Sequence, residues 1–276
     1  MSDTDSSDDI PPRNLSALAL GTKLLSLDLS RTMRTRKTLI LFLIQLLPAL
    51  AAAVSLFWGD LDGLVVFEGA IERVYLVLLL PLAALFFGGP TIVDEVEGET
   101  ITYLTLRPIP RTTLLLAKLG SSILSVLAVT VIPVVAFFVV CVIGSPATFG
   151  DGLGMLGQAV AATAVGAITY TAVFALLGVI FSSTLLPGIV YYVVFELVLA
   201  NLPVLEFLSI KFHLFTLGGF DQLDPGEDAA LGELEQMILD EPLVFDWWVG
   251  LLMCGIITAT AVAIATVVFR DRQFNV

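Results

Sequence analysis

The chain has 276 residues, of which 57% are hydrophobic and 14% are charged, and its mean hydropathy is +0.97. A soluble domain rarely needs so much apolar sequence, and one membrane span takes about 20 apolar residues, so the composition predicts several transmembrane helices. The formal net charge of −13 argues against nucleic acid as a partner.

The N-terminal segment joins an acidic tail to an amphipathic stretch. Residues 1–13 are rich in Ser and Asp, a composition typical of a disordered tail. Residues 14–37 alternate leucines with basic side chains, which predicts an amphipathic interfacial helix with its basic end at the lipid headgroups. A solvated helix without lipid contact is the alternative. No cleavable signal peptide is expected, because the first apolar run starts late and is too long.

Six apolar runs follow, and together they predict an all-α membrane protein with six transmembrane helices. The predicted spans are residues 38–58, 73–92, 112–143, 153–181, 185–202 and 247–269. The first outer connection is acidic and contains Asp60, Asp62, Glu68 and Glu72. Residues 203–246 are predicted as a long outer loop, in which 205–217 is apolar enough to lie at the membrane surface or to dip into it.

The distribution of basic residues predicts the orientation of these spans. Of the 13 Lys and Arg residues, all but Arg73 and Lys211 lie in the N-terminal segment, in the region of the connection between the second and third spans up to Lys118, or in the C-terminal tail. Because cytoplasmic segments carry the excess of Lys and Arg, both termini and the second connection are expected in the cytoplasm. The acid-rich, lysine-poor composition also suggests a halophilic source.

The connection between the second and third spans contains a short amphipathic pattern. One side of a helix would carry Val93, Val96, Thr100, Tyr103 and Leu104, and the other side Glu95, Glu99 and Thr102. Pro108 and Pro110 then interrupt helical geometry, and Arg111 opens the third span. The pattern predicts a short cytoplasmic surface helix; an ordinary solvated loop is the alternative.

This connection resembles the cytoplasmic signature of the ABC-2 type transporter permease family, particularly its NosY-like members. The residues that carry the resemblance are Glu97, Gly98, Thr100, Leu104, Arg107, Pro108, Arg111 and Lys118. The resemblance implies that the connection contains a coupling helix that docks on a separate ATPase subunit. Tyr103 and Leu104 would be its apolar contact, because a short docking helix needs a buried anchor. Arg107 and Arg111 would anchor it at the headgroups or on the ATPase.

Glu196 is the one ionisable residue that the sequence places deep inside a predicted span. A carboxylate at that depth costs about 2–3 kcal/mol on insertion scales, so it should face protein or water, or carry a proton. Two interpretations stay open: an intramembrane hydrogen bond to a neighbouring span, or part of a polar lining. The run from Tyr192 through Glu196 to His213 also resembles a pattern of bacterial and archaeal ABC-2 permeases, and His213 itself is interpreted as structural.

Motifs for catalysis, nucleotide binding and metal binding are not found in the sequence. It contains no G-x-x-x-x-G-K-[ST], G-x-S-x-G or H-E-x-x-H. One histidine and two cysteines inside apolar runs, Cys141 and Cys254, exclude a multi-histidine or thiolate metal site. We therefore expect no enzymatic activity and no cofactor on this chain, with ATP bound by the partner ATPase.

The resemblance implies a function for residues 38–276, a six-span permease domain in the cell membrane. It would be an exporter subunit of an ATP-binding cassette (ABC) transporter, working with a second permease protomer, identical or different, and with the ATPase. A membrane-embedded enzyme and an ion-coupled secondary transporter are the alternatives. Each would need several converging polar residues at membrane depth, and the sequence offers Glu196 alone.

Overall fold

The computed structural model describes residues 17–58, 62–90, 111–143, 150, 152–181, 184–201, 205–220 and 246–271, and every regular element in these ranges is helical. In chain order the helices are α1 (Ala17–Met33), α2 (Arg36–Trp58), α3 (Gly63–Gly88), α4 (Arg111–Ile143), α5 (Leu153–Ile180), α6 (Leu185–Val198), α7 (Ile210–Gly218) and α8 (Trp247–Asp271). Short 3-10 helices at Leu199–Asn201 and Glu206–Leu208 lie between α6 and α7. The predicted all-α class is confirmed for this part of the chain.

Five of these helices, α2, α3, α4, α5 and α8, are long and apolar enough to cross a membrane. The predicted fifth span corresponds to α6, which is apolar but shorter. At about 1.5 Å per residue, Leu185–Val198 extends for about 20 Å, whereas the hydrocarbon layer is about 30 Å thick. The helices establish a multi-pass membrane protein, and a sixth crossing does not follow from length alone.

The second span begins at Gly63 rather than near residue 73. The side chain of Asp62 accepts a hydrogen bond from the backbone N–H of Leu64 at 3.0 Å and thereby caps the helix. Glu68 and Glu72, expected in the outer loop, therefore lie within α3. A prediction that requires an uninterrupted apolar run places the start of this span too late, because a helix tolerates charged residues in its first turns near the headgroups.

The amphipathic stretch at the N-terminus forms α1, which ends three residues before α2 begins. Threonine side chains bond the backbone at this break: Thr38 Oγ1 donates to the carbonyl oxygen of Thr32 at 2.6 Å, and Thr35 Oγ1 donates to the same oxygen at 2.9 Å. These bonds satisfy a carbonyl that the end of α1 leaves without a helical partner. The contact of α1 with lipid stays a prediction.

The core lies where α3, α4 and α5 meet, and large aromatic side chains fill it. The ring centroid of Phe67 on α3 is 5.3 Å from that of Phe137 and 5.2 Å from that of Phe138 on α4. Tyr75 stacks on Phe137 at 5.5 Å. By contrast, α2 and α8 expose many of their large apolar side chains, as helices in contact with lipid do.

Two helices contain π-helical segments, in α3 at Ile71–Leu79 and in α6 at Tyr192–Val198. At their ends the backbone N–H of Leu80 bonds the carbonyl of Tyr75, and that of Leu199 bonds the carbonyl of Val194, five residues back in each case. Such segments are rare in proteins and often lie at functional sites. The two π-helical segments therefore identify α3 and α6 as candidate functional helices.

Candidate functional site

The predicted coupling helix lies outside the described residues. This applies to Glu97, Gly98, Thr100, Tyr103, Leu104, Arg107 and Pro108, which fall in residues 91–110. Arg111 is the first residue of α4, and its side chain is likewise outside the description. The structure does define the two ends between which this connection runs, at the end of α3 and the start of α4.

The end of α3 packs tightly against the connection between α5 and α6. The hydroxyl of Thr184 donates to the backbone carbonyl of Gly89 at 3.1 Å. A Cβ atom added to Gly178 on α5 would lie 2.5 Å from that same oxygen, so only glycine permits this approach. The ends of α3 and α5 and the start of α6 thus form one packed junction next to the predicted coupling helix.

The start of α4 is bound to α1 by a small polar cluster. Lys118 Nζ lies 3.8 Å from Asp28 Oδ1, and the hydroxyl of Ser121 donates to the other carboxylate oxygen of Asp28. Around these contacts the two helices approach closely, because Gly120 faces Leu25 and Gly21 faces Thr113. The first turns of α4 therefore lie against the N-terminal helix, immediately after the predicted coupling segment.

The carboxylate of Glu196 accepts three hydrogen bonds from the beginning of α7. The Ser209 hydroxyl donates to Oε2 at 2.7 Å, the Lys211 backbone N–H donates to Oε2 at 3.0 Å, and the Ile210 N–H donates to Oε1 at 3.0 Å. The side chain is 1% exposed. The first N–H groups of a helix have no partner within it, and the helix dipole favours a negative charge there. Glu196 thus supplies an N-terminal cap from another helix.

Helix α7 is stabilised at both ends and on two sides. At its end Gly219 adopts φ 64°, a left-handed conformation that favours glycine, and the Phe220 N–H bonds the carbonyl of Phe215 at 3.2 Å. A Cβ on Gly250 of α8 would lie 2.4 Å from the His213 carbonyl oxygen, and one on Gly166 of α5 would lie 2.6 Å from Leu80 and 2.7 Å from Leu214. α7 is therefore closely packed between α5 and α8.

Two basic side chains of α7 are buried within this packing. The Nζ atom of Lys211 lies 5.7 Å from the ring centroid of Phe215, and burial lowers the pKa of its ammonium, opposed in part by the Glu196 carboxylate. Burial also lowers the pKa of His213, opposed by its contact with the Phe207 carbonyl. His213 Nε2 is 3.0 Å from that oxygen, so the neutral ring must carry its proton on Nε2 to donate.

Two hydroxyl groups of α5 are buried in the interior. They belong to Thr163 and Tyr170, and within the described residues neither has a partner in hydrogen-bond geometry. The hydroxyl of Tyr170 lies near the carboxylate of Glu196, to which the three donors of α7 bind.

Sequence reasoning singled out Glu196 but missed its partner, because residues 203–246 were interpreted as a loop. A local signal was present: Ser209 precedes an apolar run, and its hydroxyl accepts the Phe212 N–H at 3.4 Å, as an N-cap serine does.

Among the residues that the structure describes, no group of three or more His, Cys, Asp or Glu side chains could hold a metal ion. The carboxylate of Glu196 binds donors of its own chain. The geometry holds the short helix α7 against the long helices α5 and α8.

Comparison with known families gives a match over the first part of the chain. The family described as ABC-2 family transporter protein matches residues 31–199, more than half of the chain. The matched range contains α2 to α6, the connection at 91–110 and Glu196, and it ends before Ser209. No protein in the curated set matches the chain significantly.

Proposed function

Because the chain belongs to the ABC-2 family of transporter proteins, we propose that it is the membrane-spanning permease subunit of an ABC transporter driven by a separate ATPase. The observation that carries the proposal is the family match across five of the apolar helices, including the segment in which a coupling helix is predicted. The chain supplies the transmembrane passage, and ATP is bound and hydrolysed by the partner. The protein works as a homo- or heterodimer of permease protomers in the cell membrane.

In this proposal α6 is the fifth of six spans, both termini are cytoplasmic, and α7 lies towards the outer face. The distribution of Lys and Arg supports the orientation. The 3-10 turn at Leu199–Asn201 extends α6, and a shorter span is accommodated by local thinning of the bilayer. The scarcity of charged groups in the spans favours export of an amphipathic or lipid-like compound over coupling to an ion.

Coupling would begin at the amphipathic segment between α3 and α4. ATP binding closes the ATPase subunits, and their movement displaces this segment together with the two helices that it joins. The packed junction at Gly89, Gly178 and Thr184 and the polar cluster of Asp28, Lys118 and Ser121 support this role, because they attach both ends of the segment to neighbouring helices.

The test is to replace Tyr103 and Leu104 together by Asp. A buried anchor contributes about 2 kcal/mol or more, so each substitution should weaken ATPase binding about 30-fold or more. The variant should insert normally but fail to co-purify with its partner P-loop ATPase, or bind it without coupling ATP hydrolysis to transport.

A matched control places Asp at Glu99 and Thr102, on the opposite side of the predicted helix. This control should retain the ATPase, because those positions are expected to face water. Normal binding and transport by the Tyr103→Asp, Leu104→Asp variant would contradict the proposed coupling segment. Failure of the wild-type protein to bind any P-loop ATPase would contradict the proposed function itself.

A further inference from the structure

One hydrogen bond joins the π-helical segments of α3 and α6. The hydroxyl of Tyr192 donates to the backbone carbonyl oxygen of Val77. Four residues after Val77 stands Pro81, which has no N–H and so cannot complete the hydrogen bond that an α-helix would make to this carbonyl. The Tyr192 hydroxyl on α6 therefore donates to a carbonyl of α3 that Pro81 leaves without its usual α-helical donor.

The bond fixes the direction of α6 relative to α3. At the beginning of α6, Thr184 already donates to Gly89 at 3.1 Å, and this contact alone would let α6 pivot. Tyr192 lies eight residues further along, about 12 Å at 1.5 Å per residue, so a second bond at that distance sets the angle between the helices. Between them Gly188 permits close packing, since a Cβ there would lie 2.3 Å from Leu85.

The same segment of α6 holds α7. Glu196 follows Tyr192 by one helical turn, and its carboxylate binds the first residues of α7. The π-helical segment of α3 has its own side-chain contacts with α2, because Gln45 Nε2 donates to the Leu79 carbonyl at 3.0 Å and the Tyr75 hydroxyl donates to the Gln45 carbonyl at 2.9 Å. Side-chain hydrogen bonds thus join the two π-helical segments to α2 and to α7 as well as to each other.

We propose that Tyr192 is a positioning residue of the transport cycle: its bond to Val77 makes α6, and with it α7, follow the movement of α3. This inference rests on the proposed function, in which the ATPase moves the end of α3. When α3 moves, the hydrogen bond between Val77 and Tyr192 moves α6 with it. The hydrogen bonds of Glu196 on α6 then move the beginning of α7. Nucleotide binding on one side of the membrane thereby alters the position of a short helix near the other side.

The experiment compares Tyr192→Phe with Tyr191→Phe. The first removes the donor to Val77 and keeps the ring. The second is the matched control, because Tyr191 is held by ring contacts at 5.0 Å to Phe195 and 6.0 Å to Phe174, which phenylalanine preserves. Each variant carries one cysteine at Leu208, half-exposed just before α7, in a background lacking Cys141 and Cys254. The complex with the ATPase is placed in nanodiscs.

The readout is the rate at which a water-soluble maleimide labels position 208, without nucleotide and with a non-hydrolysable ATP analogue and Mg²⁺. In the otherwise unchanged protein the rate should differ severalfold between the two states. Tyr192→Phe should remove most of that difference while retaining the ATPase, and Tyr191→Phe should keep it. A merely structural role for Tyr192 would change thermal stability without changing the response to nucleotide.

A second measurement tests the link to Pro81. Pro81→Ala restores an N–H that can bond Val77, so Tyr192→Phe should lower the Tm less in that background than in the native one. Equal losses would contradict the assignment of the bond. An unchanged nucleotide response in Tyr192→Phe, its loss in Tyr191→Phe as well, or no response in the native sequence would each overturn the inference. Absence of a bound ATPase would instead overturn the proposed function.

Discussion

Glu196 shows how a membrane protein can keep a carboxylate in its interior. Each hydrogen bond to a charged group contributes about 1.5–3 kcal/mol, so three donors offset the cost of about 2–3 kcal/mol that insertion scales give for a carboxylate at depth. The same bonds satisfy two backbone groups that would otherwise have no partner at the start of α7. The carboxylate can be buried because the N–H groups at the start of α7 donate to it. Those N–H groups can be buried because the carboxylate accepts their hydrogen bonds.

Replacement of Glu196 by Gln should be milder than replacement by Leu. The amide oxygen can still accept the Ile210 N–H, and its NH₂ group can donate to the Ser209 hydroxyl, so only the Lys211 N–H loses its acceptor. Leucine leaves all three groups unpaired, at about 1–3 kcal/mol each. Thermal unfolding in nanodiscs should rank native above Glu196→Gln and Glu196→Gln above Glu196→Leu, and transport should follow the same order.

Ser209→Ala serves as the control for this series. It removes one donor and leaves two backbone N–H groups on the carboxylate, so its loss of stability should be smaller than that of Glu196→Leu. A leucine variant that is as stable and as active as the native protein would show that the cap has no role.

At the level of elements, α7 is the helix whose position depends most on its neighbours. Nine residues are too few to form a stable helix alone, because nucleation is unfavourable and few hydrogen bonds follow it. Its backbone touches α8 at Gly250, and its side chains touch α5 at Gly166. These contacts, with the cap from α6, provide the stability that its own length does not.

Gly250→Ala should displace α7 from α8. The added Cβ would lie 2.4 Å from the His213 carbonyl oxygen, a backbone atom that cannot move without shifting α7, and overpacking of this kind costs about 1–3 kcal/mol. Gly255→Ala is the control on the same helix, since no atom lies within 4 Å of its Cβ. The control should be neutral or more stable by about 0.5–1 kcal/mol. Thermal unfolding measures both, and equal Tm values for the two variants would contradict the close packing.

The long helices were predictable from sequence and the short one was not. The predicted spans at 112–143, 153–181 and 247–269 differ by at most two residues from α4, α5 and α8, because a long apolar run bounded by polar residues is a local signal. α7 arises from contacts with three other helices. Glu196 stood out because a charge in an apolar run is conspicuous, whereas the value of Tyr192 depends on a proline more than a hundred residues earlier.

For the whole molecule the orientation in the membrane is the property that most needs a direct test. Single cysteines at Thr105 and Asp228, in a background lacking Cys141 and Cys254, should be labelled from opposite sides, because the first lies in the basic connection and the second in the acidic loop. Membrane-impermeant maleimide applied to intact cells and to inverted vesicles distinguishes the sides. Labelling of both positions from outside would contradict the six-span arrangement.

The N-terminal cap of α7 has a consequence for the synthesis of the chain. The donors to Glu196 follow it by 13 to 15 residues, and Gly250 follows by a further stretch that includes the whole of residues 221–245. At a translation rate of roughly 5–20 residues per second, α6 leaves the ribosome about one second or more before α7 and several seconds before α8. Until α7 emerges, the insertion machinery holds a carboxylate without its donors, so a nascent chain that stalls before Ser209 should be a substrate for membrane quality-control proteases.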